Sequence, residues 1–182
     1  QATIPALQEQ IRRHGPDPAL MGALGREYLR ADLPELARGW LERTMKADPA
    51  NQRALLDLIG VERRLADPER ELAACAQYLR LRPQDSRVRR EYAGLLFRRK
   101  DYARAAGEIE QLLPRQPRNA SLRRMLARSY RGSRRNAEAV LLFRDLLREN
   151  PSSEELLQEL AFALTASGSQ PSGIPEADIA DS

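Results

Sequence analysis

The chain has 182 residues, of which 42% are hydrophobic and 31% are charged, and it carries a formal net charge of +4. This is one domain's length of chain, and no run of about 18 apolar residues occurs that could span a membrane. The single cysteine, Cys75, rules out a disulfide within the chain. It lies at the spacing at which apolar residues recur on one face of a helix, which indicates a small buried side chain rather than a nucleophile.

The chain begins with a predicted amphipathic helix over residues 1–15, in which Ile4, Leu7 and Ile11 share one face. His14, the only histidine, is expected at the solvated end of this helix. Neither a second histidine nor a cysteine cluster accompanies it, so the sequence offers no ligand set for a metal site there.

Four pairs of helices follow, and a short turn joins the two members of each pair. Apolar residues recur at helical spacing in both members. Start signals include Asp17-Pro18 and Asp67-Pro68, in which the aspartate can cap the helix and the proline fits its first turn. Asp101 can cap the second helix of the third pair in the same way. The predicted helices cover residues 18–30, 34–47, 52–65, 68–81, 87–99, 102–113, 121–132 and 136–149.

A fixed 34-residue period organises these pairs, and a repeated period of this length is typical of repeat architectures. The prolines that show it are Pro49, Pro83, Pro117 and Pro151. We call the separation of two successive prolines of this set one repeat length. Two adjacent columns in register with them contain Leu24, Leu58, Tyr92, Leu126 and then Gly25, Ile59, Ala93, Ala127. This alternation of large apolar, small and proline positions resembles the tetratricopeptide repeat family over residues 18–153.

The resemblance implies an all-α fold, an α-α superhelix or tetratricopeptide repeat solenoid. Its four full repeats are expected at 18–51, 52–85, 86–119 and 120–153. Residues 1–15 are then the second helix of a preceding partial repeat, and residues 154–166 are a C-terminal capping helix. In that cap, Leu156, Leu157, Leu160 and Leu164 are expected to face inward, and Glu154, Glu155, Gln158 and Glu159 outward.

The second repeat departs from the family pattern. Glu62 and Glu71 occupy positions that are aromatic and small in the family. Because a buried carboxylate needs a partner, the second helix of this repeat is expected to rotate and to bury other residues instead. Those expected in the core are Leu72, Cys75, Ala76 and Leu79. Nearby side chains that could pair with the two glutamates are Arg63, Arg64 and Arg70.

No catalytic constellation is visible. The sequence has no Gly-rich phosphate loop, no metal-ligand spacing and no nucleophile with an accompanying base. We therefore predict that the protein is not an enzyme, that it has no catalytic residue and that it uses neither a metal nor a cofactor. Its function is expected to lie in a binding surface.

The resemblance places that surface on the first helix of each pair, which lines the concave face in this family. Eleven of the 20 positions expected to point inward are arginine and none is acidic. The predicted partner-binding groove contains Arg26, Arg53, Arg63, Arg87, Arg90, Phe97, Arg124, Arg128 and Arg131. The family's carboxylate clamp uses lysine and asparagine at set inward positions, and this chain does not match it. Where the asparagines are expected it has Gly60, Gly94 and Arg128.

Two functions from different classes fit such a groove. The first is a protein–protein interaction scaffold that binds an acidic or amphipathic segment of a partner. By resemblance, it would serve a bacterial assembly or export machinery such as exopolysaccharide secretion or envelope biogenesis, in the cytoplasm or the periplasm. The alternative is binding of an anionic polymer, either RNA or an acidic polysaccharide. The sequence disfavours nucleic acid, because Phe97 is the only aromatic residue among the inward positions.

Residues 167–182 are rich in glycine, proline and serine and are predicted to form a disordered acidic tail. Within it, Ile174 and Ile179 are interleaved with carboxylates. One hypothesis is that this tail occupies the arginine groove of its own chain or of a neighbour, which would produce self-association. The other is that it only keeps the protein soluble.

Overall fold

The structure is a computed structural model that describes residues 3–168. Within this range the chain forms ten α-helices and no β-strand. The helices are α1 Ile4–His14, α2 Pro18–Arg30, α3 Pro34–Ala47, α4 Gln52–Arg64, α5 Pro68–Leu81, α6 Ser86–Arg98, α7 Tyr102–Leu112, α8 Ala120–Gly132, α9 Asn136–Glu149 and α10 Glu154–Ala166. The predicted ends of α2 to α10 are confirmed to within one residue. The predictions for the tail beyond Gly168 lie outside the described residues.

The chain divides into two compact units, Gln1–Leu95 and Leu96–Ser182, and the boundary falls within α6. In the first unit, α2 packs against α3, α4 packs against α5, α3 also contacts α4, and α1 packs against α2. In the second unit, α8 lies between α7 and α9, and α10 packs against α9. Each unit is therefore built from helix pairs that contact their neighbours along the chain.

The turn within each pair has the same backbone conformation, and the four turns follow one another at the repeat length. A residue other than glycine takes the left-handed conformation, although its Cβ makes that conformation unfavourable. These residues are Asp32 (φ 58°), Ala66 (φ 51°), Lys100 (φ 62°) and Arg134 (φ 65°). In each turn the next residue donates its amide to a carbonyl five residues earlier, as Leu33 does to Tyr28 at 2.9 Å. Backbone hydrogen bonds thus hold all four turns in one shape.

The start of each first helix is also repeated. An N-cap side chain accepts a hydrogen bond from a backbone amide of the first turn, which satisfies a group the helix leaves unpaired. The caps occur at intervals of one repeat length and are Asp17, Asn51, Asp85, Asn119 and Ser153. Asp101 and Asp67 cap second helices, as predicted.

The expectation that α5 rotates to keep its glutamate out of the core is wrong. Glu71 is only 6% exposed, in the position that its register assigns. Of the residues expected in the core, Leu72, Cys75 and Leu79 are buried and Ala76 is half-buried. Arg63 Nε donates to Glu71 Oε1 at 2.9 Å, so the carboxylate enters the core together with a partner.

Glu62 is buried more deeply, at 2% exposure, and it binds an arginine that the sequence did not suggest. Arg38 on α3 donates to both of its carboxylate oxygens. Arg64 and Arg70, the other predicted partners, pair instead with Asp32 and Glu42. The second repeat is thus accommodated by ion pairs and not by a change in helix orientation.

The predicted orientation of α10 is confirmed for Leu156, Leu160 and Leu164, which pack on the core, and for the exposed Glu154, Glu155 and Gln158, but it is wrong at two residues. Leu156 is buried, but Leu157 is 49% exposed. Conversely, the Glu159 side chain, expected in solvent, is only 13% exposed. The acidic face of α10 is turned toward the arginines of α8, and part of its apolar face is uncovered.

Candidate functional site

The predicted groove residues lie on the first helix of each helix pair, in both units. In the first unit, Arg26 lies on α2, Arg53 and Arg63 on α4, and Arg87 and Arg90 on α6. In the second unit, Phe97 lies on α6 and the others on α8. The latter are Arg124, Arg128 and Arg131. From the sequence we expected these arginines to have no acidic neighbours. In the structure, carboxylates from the first helices of adjacent pairs contact most of them.

In the first unit, two guanidinium groups share the carboxylate of Asp57 on α4. Arg26 Nη1 lies 3.3 Å from Asp57 Oδ2, and Arg53 Nε lies 3.5 Å from Oδ1. The aspartate side chain is 13% exposed, whereas that of Arg53 is 68% exposed. This trio carries a net positive charge, and its exposed member is a cation.

A second carboxylate of the first unit, Glu91 on α6, is also shared. It accepts from Arg63 Nη2 at 3.0 Å and from Arg87 Nη1 at 3.3 Å. Burial alone would lower the pKa of Arg63, but its hydrogen bonds to Glu71 and Glu91 outweigh this effect and raise that pKa. The arginine therefore stays charged while it links α4, α5 and α6. Arg90 is exposed on α6.

In the second unit, three arginines of α8 meet two glutamates of α10. Glu155 accepts from Arg124 Nη1 at 2.7 Å and from Arg128 Nη2 at 2.6 Å. Glu159 accepts from Arg128 Nε at 2.8 Å, and Arg131 Nη1 lies 2.5 Å from its other oxygen. The three arginine side chains are 31–34% exposed. Because three cations face two anions, the cluster keeps a net charge of about +1.

An open depression of about 440 Å³ lies beside this cluster. It is lined by Arg131, Glu155, Gln158, Glu159 and Phe162. Phe162 is 63% exposed, and the Cζ atom of Arg131 lies 5.9 Å from the centre of its ring. We call the surface made by Arg124, Arg128, Arg131, Glu155, Gln158, Glu159 and Phe162 the α8–α10 face. It combines partly buried cations with an exposed aromatic ring.

Phe97, the aromatic residue singled out in the sequence, is not part of the α8–α10 face. Its ring is half-buried and meets the Tyr102 ring edge to face, with centres 5.4 Å apart. It acts in packing around the turn between α6 and α7. The exposed aromatic surface is supplied by Phe162 instead.

The sequence contained a signal for the residues that were missed. Asp57, Glu91 and Glu159 stand at one position of the repeat, next to the columns in which the arginines were counted. Phe162 stands one repeat length after Arg128. Extending the repeat columns into α10, which was treated as a separate cap, would have placed both the carboxylates and the aromatic ring on this face.

The described chain offers little for other chemistry. Across residues 3–168, histidine, cysteine, aspartate and glutamate side chains do not gather in threes as a metal site would need. Burial raises the pKa of the Cys75 thiol to about 12, so it stays protonated and unreactive at neutral pH. None of the helices in this range combines the length and hydrophobicity that crossing a bilayer requires.

Comparison with known proteins identifies the repeat. A sequence model described as tetratricopeptide repeat matches residues 23–86 and 93–154, well over half of the chain. No curated protein matches the sequence. The predicted resemblance and the predicted solenoid fold are both confirmed.

Solved structures share the fold at low sequence identity. YrrB, described as a TPR protein with an unusual peptide-binding site, superimposes with a TM-score of 0.66 at 10% identity, over 93% of this chain and 87% of that chain. MamA from Desulfovibrio magneticus RS-1 gives a TM-score of 0.60 at 19% identity, over 83% of this chain and 85% of that chain. At these identities the likeness concerns the fold alone.

Proposed function

Because the chain belongs to the tetratricopeptide repeat family, whose fold generally provides non-enzymatic scaffolds for protein–protein interaction, we propose that it binds an acidic, amphipathic segment of a partner protein. The α8–α10 face is the site proposed for this contact. The observation that carries the proposal is the sharing of two carboxylates, Glu155 and Glu159, among three guanidinium groups next to an exposed phenylalanine.

The charge of the face favours an anionic ligand. A guanidinium has five N–H donors in a planar fork, and the two glutamates occupy only part of the donors of three arginines. A carboxylate from a partner can therefore add to Arg124 or Arg131 without displacing either glutamate. About two-thirds of each arginine side chain is already out of water. A hydrogen bond formed there is less screened than one at a fully exposed side chain.

The aromatic ring gives the same ligand an apolar contact. Phe162 exposes 63% of its surface beside the depression. Aromatic residues next to arginine are typical of the few contacts that carry most of the binding energy in interfaces. A segment with one aliphatic side chain next to a carboxylate would place the first on Phe162 and the second on the guanidinium groups.

The first unit offers contacts of similar construction. Arg53 and Arg87 are 68% and 64% exposed, and each touches a carboxylate that a second arginine also holds. An acidic segment that binds these arginines would gain about 0–1 kcal/mol from each contact, because these side chains are solvated. We propose that the partner protein belongs to a bacterial assembly or export machinery, as the family resemblance suggests. YrrB offers a parallel, since its description reports a peptide-binding site.

The proposal is tested with peptides of fixed composition. Fluorescence anisotropy compares a peptide of alternating aspartate and leucine with one in which lysine replaces each aspartate. We expect only the acidic peptide to bind, and we expect its affinity to fall as salt rises to physiological strength, where charges are screened beyond about 8 Å. Equal binding of both peptides would contradict the proposal.

The alternative class of ligand is included in the same measurement. Poly(U) and polygalacturonate carry a regular anionic charge without aliphatic side chains. If either binds more tightly than the acidic peptide, the face is a site for an anionic polymer and not for a protein segment. The Phe162→Ala variant adds a second criterion for the polysaccharide, because it should weaken the peptide and leave the purely electrostatic contact of polygalacturonate unchanged.

A further inference from the structure

We propose that two copies of this chain associate through the exposed face of α3, with the two α3 helices packed antiparallel about a two-fold axis. We call this surface the α3 patch, and it is made of Leu33, Leu36, Gly39, Trp40 and Arg43. It belongs to the first unit, whereas the α8–α10 face belongs to the second. This inference therefore does not rest on the proposed function.

The first observation is an apolar side chain at a repeat position that is charged elsewhere. Leu36 is 49% exposed. The residues one, two and three repeat lengths later are Arg70, Arg104 and Glu138, and their side chains are 44–57% exposed. This position therefore faces solvent in all four repeats, and only the first repeat places a leucine there. Packing within the repeat does not explain the leucine, whereas contact with another molecule would.

Leu33 shows the same departure at the start of the helix. It is the N-cap residue of α3, it is 43% exposed, and its side chain makes no capping hydrogen bond. One and two repeat lengths later, Asp67 and Asp101 cap α5 and α7. Because a capping side chain stabilises the start of a helix, α3 lacks a contact that α5 and α7 have. An exposed leucine stands in the place of that cap, next to Leu36.

The second observation is the shape of the patch. Leu36, Gly39, Trp40 and Arg43 share one face of the helix. Gly39 is exposed, and no described atom lies within 4 Å of a Cβ built on it. Glycine is unfavourable in a helix interior, and no neighbour in the described chain requires it here. The missing side chain lets the backbone of a second helix approach closely, so a helix fits this surface.

The third observation is a pair of opposite charges that indicates which helix binds. Glu35 and Arg43 are exposed, and neither forms an ion pair with a residue in the range 3–168. The Cζ atom of Arg43 lies 4.7 Å from the centre of the Trp40 ring instead. Glu35 and Arg43 are separated by about 12 Å along the helix axis, and Gly39 stands midway between them. In an antiparallel pair centred on Gly39, Glu35 of each copy lies opposite Arg43 of the other. The patch is thus complementary to itself, as an interface with two-fold symmetry requires.

The test measures the mass of the full-length chain by sedimentation equilibrium over a range of concentrations. One helix face per copy makes a small interface, so we expect a reversible dimer with a dissociation constant on the order of 10–100 μM. The mass should rise from the 20.6 kDa of one chain toward twice that value and no further, because a two-fold interface closes at two copies. A chain that stays monomeric at about 1 mM, or that assembles beyond a dimer, would overturn the inference.

Two matched substitutions show whether the α3 patch holds the dimer. Leu36→Arg introduces the residue that the second and third repeats carry at this position, so the fold tolerates it. We expect it to weaken dimerisation at least about tenfold. Leu141→Arg is the control, because Leu141 is a 62% exposed leucine on α9, outside the patch. It should leave the dissociation constant unchanged. Equal effects of the two substitutions, or a dimer that survives Leu36→Arg, would place the interface elsewhere.

Charge reversal tests the antiparallel arrangement itself. Glu35→Arg should weaken the dimer about tenfold, because arginines of the two copies then face each other. Adding Arg43→Glu should restore most of the affinity, since each copy again presents opposite charges at the two positions. A double variant that dimerises no better than Glu35→Arg alone would overturn the arrangement. A monomeric chain that binds vesicles of phosphatidylglycerol would also overturn the inference, because a lipid surface would then be the occupant of the α3 patch.

Discussion

Arg38 on α3 binds both carboxylate oxygens of Glu62 on α4 through one edge of its guanidinium, at 3.1 Å from Nε to Oε1 and 2.5 Å from Nη2 to Oε2. The hydrogen bond to Glu62 is the main reason why the pKa of Arg38 is raised. Glu62 stands at the repeat position of Tyr28 and Leu96, and Arg38 stands at that of Leu72. A pair of opposite charges thus replaces an apolar contact between the first two repeats.

We expect Arg38→Leu to lower the free energy of unfolding by about 3 kcal/mol, because it leaves the carboxylate of Glu62 buried without its partner. The double variant Arg38→Leu with Glu62→Leu should recover most of that loss, since leucine occupies both positions elsewhere in the repeat. Urea denaturation measures both values. Arg70→Leu is the control, because the Arg70–Glu42 pair is solvated and worth about 0–1 kcal/mol. An equal loss for Arg38→Leu and Arg70→Leu would contradict this assignment.

Two helical glycines of the first unit should respond in opposite directions to alanine. A Cβ at Gly25 would lie 2.7 Å from Leu41 Cγ, so Gly25→Ala should destabilise the protein by about 1–3 kcal/mol through overpacking. At Gly60 nothing lies within 4 Å of the added Cβ. Gly60→Ala should therefore stabilise by about 0.5–1 kcal/mol through helix propensity. Thermal unfolding of the two variants gives the sign of each change in stability. A gain in stability for Gly25→Ala would show that α2 and α3 are not in close contact at this position.

Asp85, the N-cap of α6, should contribute to the acid sensitivity of the protein. Burial alone would raise the pKa of its carboxyl, but hydrogen bonds from the Val88 and Arg87 amides and the Tyr78 hydroxyl lower it below its ordinary value. A group with a lowered pKa stabilises the fold fully above its unfolded pKa, about 3.9 for aspartate. That contribution is lost as the pH falls through the lower folded pKa.

Asp85→Asn keeps a side chain that can cap the helix but removes the charge. We therefore expect the variant to lose less stability than the natural chain as the pH is lowered from 7 through the ordinary aspartate pKa of about 3.9 toward the lower folded pKa of Asp85. Urea midpoints at several pH values give the comparison. Parallel pH profiles for the two proteins would exclude this role for Asp85.

Sequence reasoning reached the fold because helix starts, turns and prolines are local and recur once in every repeat. Cap residues such as Asp17 and the spacing from Pro49 to Pro83 depend only on nearby chain. The ion pairs were harder to foresee, since Arg38 and Glu62 are 24 residues apart and belong to different repeats. The carboxylates that pair with the groove arginines stand in a neighbouring column of the repeat, and a count of the arginines alone does not show them. The burial of Glu159 on α10 was not foreseen, because this residue was expected to face water, whereas Arg128 and Arg131 of α8 bind it.

The claim that the α8–α10 face binds an acidic segment has one direct test, the dissociation constant of the aspartate–leucine peptide for two variants of opposite charge. Arg124→Gln removes a donor to the ligand, and Glu155→Gln removes a negative charge that repels the ligand from the same arginines. Arg123→Gln serves as a control, since Arg123 pairs with Glu149 on α9. We predict about fivefold weaker binding for Arg124→Gln, about fivefold tighter binding for Glu155→Gln and no change for the control. Binding that is unchanged in the first two variants, or that shifts in the same direction in both, would contradict the account.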